Sequence, residues 1–274
     1  MSAEPPKAAR KEAGRDMAHD SAWPEGWATL YDAMDVDRAP HLTFYTRLTT
    51  PEVTSILDLG CGTGSITLAM AERMAPGGRV AGVDLSPRMI EIARTRAPEH
   101  EWRIGDIAEP PVDGPFDLIV CCFHTLQALE EEETLAKCFA NVADLLAPGG
   151  RFAFDIYRPN LEWLTGPWEG TSVARRFEDE QGRPFHVVES DTHYDTDTRV
   201  LTSTWTLHDS TTDEALPLAP IVQRVRQYFP EDIERLLAGA GLTIDARYGD
   251  LLGGPYKDDS KLQVYVSRHS PSQS

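Results

Sequence analysis

Basic residues, paired cysteines and long apolar runs are what this 274-residue chain has least of. Lys and Arg number 26 against 44 Asp and Glu, a formal charge of −18. A protein that handles nucleic acid gathers Lys and Arg to neutralise phosphates, so this balance argues against DNA or RNA as a partner. It favours neutral or cationic small molecules only slightly. The run Glu130–Glu133 reads as the solvated acidic start of a helix, where carboxylates suit the dipole. The four cysteines, at 61, 121, 122 and 138, form no C-x-x-C pair, and two lie in apparent core strands. Neither a disulfide nor a zinc site is expected, and no other metal site is read. No apolar stretch approaches the ~20 residues of a membrane span, and the N-terminus lacks the apolar centre of a signal peptide. The expectation is a cytoplasmic protein with no membrane contact. Residues 1–20, rich in Ala, Lys, Glu and Pro, read as a disordered tail.

What is present centres on residues 56–64, Ile-Leu-Asp-Leu-Gly-Cys-Gly-Thr-Gly. An apolar run ends in three alternating glycines, Gly60, Gly62 and Gly64, and a helical pattern follows. A second apolar run, Val80 to Val83, ends in Asp84, twenty residues past Gly64. Strand, glycine turn, helix, strand and acid make the βα unit at which open α/β sheets hold nucleoside cofactors. A carboxylate at position 84 can accept from both hydroxyls of a ribose. Ser65 and Thr67 stand where a dinucleotide fingerprint needs its third glycine, and no Gly-Lys-Ser/Thr of a phosphate loop follows. A tight strand-to-helix turn with no ligand is the bland alternative, and the spacing of Asp84 weighs against it.

The G-x-G-x-G form with Asp58 two residues ahead resembles the first motif of class I S-adenosylmethionine-dependent methyltransferases. Further segments extend the resemblance. They are Gly-Val-Asp-Leu-Ser-Pro-Arg-Met (82–89), Gly105-Asp106-Ile107, the strand Phe116–Val120, and Leu145–Arg151. It spans about residues 27–157 and again 224–268. It implies S-adenosylmethionine as cofactor, held by Tyr31, Asp58, Gly60, Gly62, Gly64, Asp84, Leu85, Met89, Asp106, Ile107 and Cys122. Asp106 would receive the adenine amino group in this comparison. Asp117 reads as structural.

Strands near 55–59, 79–83, 101–104, 116–122 and 150–156 alternate with helices at 64–74, 87–97 and 132–146, after helices near 25–35 and 39–48. The pattern predicts an α/β protein: a doubly wound, mostly parallel, seven-stranded Rossmann-like sheet. Two further strands, 242–248 and 262–268, follow a helix over 230–240. Between Pro159 and residue 229 the rhythm changes to two-residue alternation, which predicts an antiparallel β insertion of three or four strands. The chain thus divides into a cofactor-binding core, 21–159 with 229–270, and a flap, 160–228, over the active site. That flap resembles the one in glycine N-methyltransferase and in N,N-dimethyltransferases of nucleotide-linked amino sugars. Its edges would suit a homodimer.

By the same resemblance Tyr31 closes over the cofactor and contributes to catalysis; its alternative is a core anchor in an amphipathic helix. His124, after the fourth strand, is placed as a base or hydrogen-bond acceptor, its alternative being a plain strand-end residue. Phe123, His124, Tyr157, Trp163 and Arg226 are expected on the substrate side, although Tyr157 would also serve to cover the sheet edge. The leading reading is a biosynthetic methyltransferase of a small molecule in secondary metabolism, methylating an amine or ring nitrogen. O-methylation, or a catalytically inactive cofactor-binding partner subunit, are the alternatives.

Overall fold

The structure, a computed structural model, describes residues 24–34 and 38–271. The tail read at 1–20 lies outside the described residues. Three short helices come first, α1 (Glu25–Ala28), α2 (Tyr31–Met34) and α3 (Ala39–Leu48). The single helix expected near 25–35 is thus broken at Thr29-Leu30. The break turns Asp32 toward three partners: Thr63 on the glycine turn, Arg38 just before α3 and Arg96, the last residue of the helix at 87–96. The core continues as β1 (Ser55–Leu59), α4 (Ser65–Ala71), β2 (Arg79–Asp84), α5 (Pro87–Arg96), β3 (Glu101–Ile104), β4 (Phe116–Cys121), α6 (Glu132–Leu145) and β5 (Leu146–Tyr157). After the short α7 (Leu161–Leu164) come β6 (Ser172–Glu178), β7 (Pro184–Asp195), β8 (Val200–Asp209) and β9 (Ile221–Arg226). Then come α8 (Pro230–Gly239), β10 (Leu242–Tyr248) and β11 (Leu262–His269).

The main sheet has seven strands in the order β10-β11-β5-β4-β1-β2-β3. Pairs among β1 to β5 are parallel, while β11 runs antiparallel to both β5 and β10. This is the expected Rossmann-like α/β fold. β5 begins at Leu146, earlier than expected, because the Pro148-Gly149-Gly150 turn sits within the strand where its register with β4 shifts. The two-residue period of the strands sorts their side chains onto two faces. Leu57, Leu59, Ile119, Cys121, Phe152 and Phe154 pack with α6 and α8 on one side. Ile56, Leu118, Val120, Cys122 and Ala153 pack with Phe44 and Tyr45 of α3 and with α4 on the other. Asp155 shares the parity of Ala153, so its carboxylate is directed into the apolar layer beside α3.

β6 to β9 form a second, fully antiparallel sheet in sequence order. Its apolar face, with Phe177, Phe185, Val187, Leu207 and Ile221, packs against Trp27 of α1 and Met34 of α2. The Trp27 indole also donates to the Ala219 carbonyl at 2.9 Å. Trp205 packs at the margin of this cluster and donates to Glu189. Glu130 is held by the Arg224 guanidinium through both oxygens, at 2.7 and 2.6 Å, so it joins β9 to the loop before α6 rather than standing in solvent. Asp117 accepts from the backbone of Thr54 and Ser55, pinning the start of β1 to β4. All four cysteines are buried free thiols. Among the described residues no helix is long and apolar enough to cross a membrane.

Candidate active site

The β1–α4 turn is built from backbone that only glycine adopts without strain: Gly60 has φ +75° and Gly62 φ +53°. Gly60 also passes so close to Thr125 that a Cβ there would stand 2.4 Å from its methyl carbon. The Gly60 and Cys61 amides donate to the Val83 carbonyl at 2.8 and 3.0 Å, which draws the turn against the end of β2. Asp84 lies there. Its Oδ2 accepts from the Gly62 amide and its Oδ1 from the Ser86 amide, both at 2.9 Å. Burial pushes the Asp84 carboxyl up, and those two amides moderate the rise. Each oxygen keeps a second lone pair for a ribose hydroxyl.

Asp58 is fully enclosed. Its Oδ2 accepts from the Thr67 hydroxyl at 2.5 Å, while Oδ1 is buried with no partner. Burial pushes this carboxyl up to about 7, against the Thr67 hydrogen bond. An orphaned carboxylate oxygen beside a glycine turn suits an ammonium group, and the amino group of S-adenosylmethionine is one. The same cofactor matches the open cradle above Gly62, where an added Cβ would meet only Tyr31 Cε1, at 3.7 Å. The residues therefore fit the group.

Tyr31 lies over that turn, with the Arg38 guanidinium 5.3 Å from its ring centroid. Its neighbour Asp32 fixes α2 in place through Thr63 (2.7 Å), Arg38 (2.6 Å) and Arg96. Burial alone would raise the Asp32 carboxyl, but those partners hold it below its ordinary range. Asp106 accepts from the Ala108 amide at 2.8 Å in the turn after β3, and Ile107 is buried beside it. Leu85 is half-buried, and Met89 is enclosed in the first turn of α5. The Cys122 thiol faces the α3 layer and is buried, and its carbonyl accepts from the Thr125 hydroxyl at 2.7 Å.

Phe123 and His124 both have left-handed backbone, φ 55° and 60°. Two adjacent non-glycine residues there are strained, and such strain persists where surrounding contacts impose it. The His124 ring stacks on Tyr157, centroids 3.6 Å apart, and Phe123 stacks on His41 at 3.8 Å. Gln127, fully buried, accepts from the Tyr157 amide (2.8 Å) and donates to the Arg226 carbonyl (2.9 Å). The structure thus brings Phe123, His124, Tyr157 and the end of β9 together. The Arg226 guanidinium turns to the Glu130 carbonyl and over Tyr228. Trp163 is half exposed and meets Trp168 edge-on at 4.3 Å; no contact among the described residues joins it to His124.

Sequence reasoning gave no role to Asp155, His41, Tyr45, Asp32 or Gln127. Asp155 had a signal, an acid at an inward-facing position of the apolar run Phe152–Ile156. His41 and Tyr45, four apart on α3, signal only a shared helix face.

Fold and glycine turn together define the class: a Rossmann-like fold of the class I methyltransferase type. Residues 56–150 match the family model described as a methyltransferase domain. The chain is 38% identical over 131 residues to the dTDP-4-amino-2,3,4,6-tetradeoxy-D-glucose N,N-dimethyltransferase of Saccharopolyspora spinosa, covering 45% of this chain and 51% of that one. It is 35% identical over 121 residues to nocamycin O-methyltransferase of Saccharothrix syringae, covering 41% and 42%. The chain spans about half the length of the curated relatives it matches. Among solved structures, an S-adenosylmethionine-dependent methyltransferase from Clostridium acetobutylicum superposes with a TM-score of 0.73 at 20% identity, covering 90% of this chain and 98% of that one.

Proposed function

We propose that the chain is an S-adenosylmethionine-dependent methyltransferase of a small molecule in secondary metabolism, with a nitrogen as acceptor. The observation that carries the reading is the carboxylate pair at the glycine turn: Asp84 aligned by Gly62 and Ser86, and Asp58 with one orphaned oxygen. When bound, the cofactor supplies an activated methyl group on a positive sulfonium. Asp84 takes the ribose hydroxyls, Asp58 the ammonium end, and Asp106 with Ile107 the adenine edge. Gly60, Gly62 and Gly64 let the backbone approach, Leu85 and Met89 line the adenosine side, and the Cys122 carbonyl faces the cleft. Tyr31 covers the turn. Phe123, His124 and Tyr157 form the acceptor side, Trp163 and Arg226 stand farther out on it, and the sheet β6–β9 is its flap. Chemistry then needs position, a dry site and a neutral nucleophile. His124 is the group that receives the acceptor's proton.

Nitrogen is favoured by the likeness to an amino-sugar N,N-dimethyltransferase. Oxygen is the second reading, on the likeness to an O-methyltransferase. Calorimetry with S-adenosylhomocysteine tests cofactor binding, and a mass-shift screen of metabolite extracts finds the acceptor. His124→Ala then separates the two acceptors. With an amine, turnover falls modestly and recovers in part as pH rises. With a hydroxyl, it falls by ~10²–10⁴ and alkali restores little. Near-wild-type turnover across pH 6–9 would remove His124 from the chemistry.

The four buried free thiols suit the reducing cytoplasm, where this reading places the enzyme. The edge strands β6 and β9 would offer the surface for a homodimer, which light scattering tests.

A further inference from the structure

Asp155 is fully buried, yet donors from two places in the chain, α3 and the end of β4, converge on it. Its Oδ1 accepts from the Tyr45 hydroxyl of α3 at 2.5 Å and from the Phe123 amide at 3.2 Å. Its Oδ2 stands 3.3 Å from His41 Nε2 and 3.1 Å from His124 Nδ1. Burial alone would favour the neutral acid, but His124 and His41 hold the carboxyl well below its ordinary range. An ionised carboxylate only accepts, so the ring nitrogens facing Oδ2 must carry the hydrogens. His41 then presents an N–H from Nε2, and its buried Nδ1 has no partner. His124 is protonated on Nδ1. That nitrogen is close to Oδ2 but not aligned as a hydrogen bond, as catalytic contacts often stand before substrate arrives. The His124 side chain keeps 16% of its surface exposed, and the stacked Tyr157 beside it is 47% exposed.

A buried carboxylate inside an apolar layer is costly, and so is a consecutive left-handed pair of ordinary residues. Both meet at one point, because the Phe123 amide that Asp155 holds belongs to the strained pair. An apolar side chain at 155 would pack the layer at less expense. It would leave the His124 ring without a fixed hydrogen.

We propose that Asp155 is a positioning residue for methyl transfer: it fixes His124 as the Nδ1–H tautomer, leaving the Nε2 lone pair to receive the acceptor's proton. The inference rests on the methyltransferase reading. In the step concerned, an N–H bond of the acceptor's ammonium form breaks and its electron pair stays on nitrogen. The proton bonds to Nε2, and the imidazolium so formed faces Asp155.

Long-range proton–nitrogen NMR of the ¹⁵N-labelled full chain tests it, with the His124 signals assigned by their loss in His124→Gln. The wild type should show a protonated Nδ1 and a bare Nε2 when the ring is neutral. Folded Asp155→Asn, whose amide can present either a donor or an acceptor, should lose that preference and give averaged shifts. A wild type with bare Nδ1 and protonated Nε2, the form of a ring on a cation or one that only packs, would overturn the proposal. So would an unchanged tautomer in folded Asp155→Asn. If that variant does not fold, the wild-type spectrum decides alone. Calorimetry on the same sample separates the two layers. A wild type that binds no S-adenosylhomocysteine overturns both readings, whereas binding with the wrong tautomer overturns only the role of Asp155.

Discussion

Replacing Asp84 by alanine removes the one carboxylate that the Gly62 and Ser86 amides hold at the end of β2. Charge-assisted hydrogen bonds are worth about 1.5–3 kcal/mol each, so affinity for S-adenosylhomocysteine should fall at least tenfold. Unchanged affinity in a folded variant, read by calorimetry, would remove Asp84 from the site. Asp58 gives a different readout. Its carboxyl rises from an ordinary 3.8 to about 7 in the folded chain. Between those values the folded chain keeps a proton that the unfolded chain has released, so stability falls as pH rises through that window. The loss is on the order of 4 kcal/mol and is complete above about pH 7. Asp155 has the opposite sign: its contribution is lost only in acid, below the ordinary carboxylate range. Asp58→Asn is neutral throughout, so its melting temperature relative to wild type should climb from pH 5 to pH 8 without ligand. A pH-independent difference would show that Asp58 does not hold that proton. At this scale the sequence supplied Asp58 and Asp84 through their spacing to the glycines. Asp155 lay in plain view within Phe154-Asp155-Ile156, but two of its partners come from α3, more than a hundred residues earlier.

Two glycines separate backbone strain from close approach in the turns that shape the core. Gly60, between β1 and α4, combines a positive φ with a Cβ position 2.4 Å from Thr125. Gly77, before β2, has φ +85° and nothing within 4 Å of an added Cβ. Gly77→Ala should therefore cost only the left-handed conformation, ~1 kcal/mol. Gly60→Ala adds the clash, for a total of at least ~2–3 kcal/mol, and should displace the Thr125–Ala128 turn as well. Denaturant titrations check both, and equal losses would contradict the packing argument. Strand and helix ranges around these turns were legible because buried parallel strands are short apolar runs and the glycines end them. The break at Thr29-Leu30 was not legible. It follows from Asp32 reaching Thr63 and Arg96, contacts that local propensity does not contain.

For the molecule as a whole, the arrangement couples its two sheets to one turn. The β6–β9 sheet packs on α1 and α2, and α2 is tied to the glycine turn by Asp32. A ligand held at that turn stabilises the assembly by mass action. At a hundred times its dissociation constant the gain is about 2.7 kcal/mol, or roughly 5–10 °C in melting temperature for a chain of this size. S-adenosylhomocysteine should produce such a shift, and NAD or NADP should not, because Ser65 and Thr67 occupy the place of the third glycine. A shift with NAD alone would overturn the cofactor assignment.

By itself the sequence determined the α/β alternation, the change to antiparallel strands after Pro159, and the glycine turn with the acids beside it. Those features depend on residues close together in the chain: an apolar run, its glycines and an acid one βα unit later. Only the tertiary structure decided what surrounds His124 and Tyr157. The Asp155 cluster joins α3, the end of β4 and β5. Gln127 joins Tyr157 to Arg226, and Glu130 joins the loop before α6 to β9. Such contacts arise where the sheet's strand order brings distant segments side by side, and no periodicity within any one of them records the meeting.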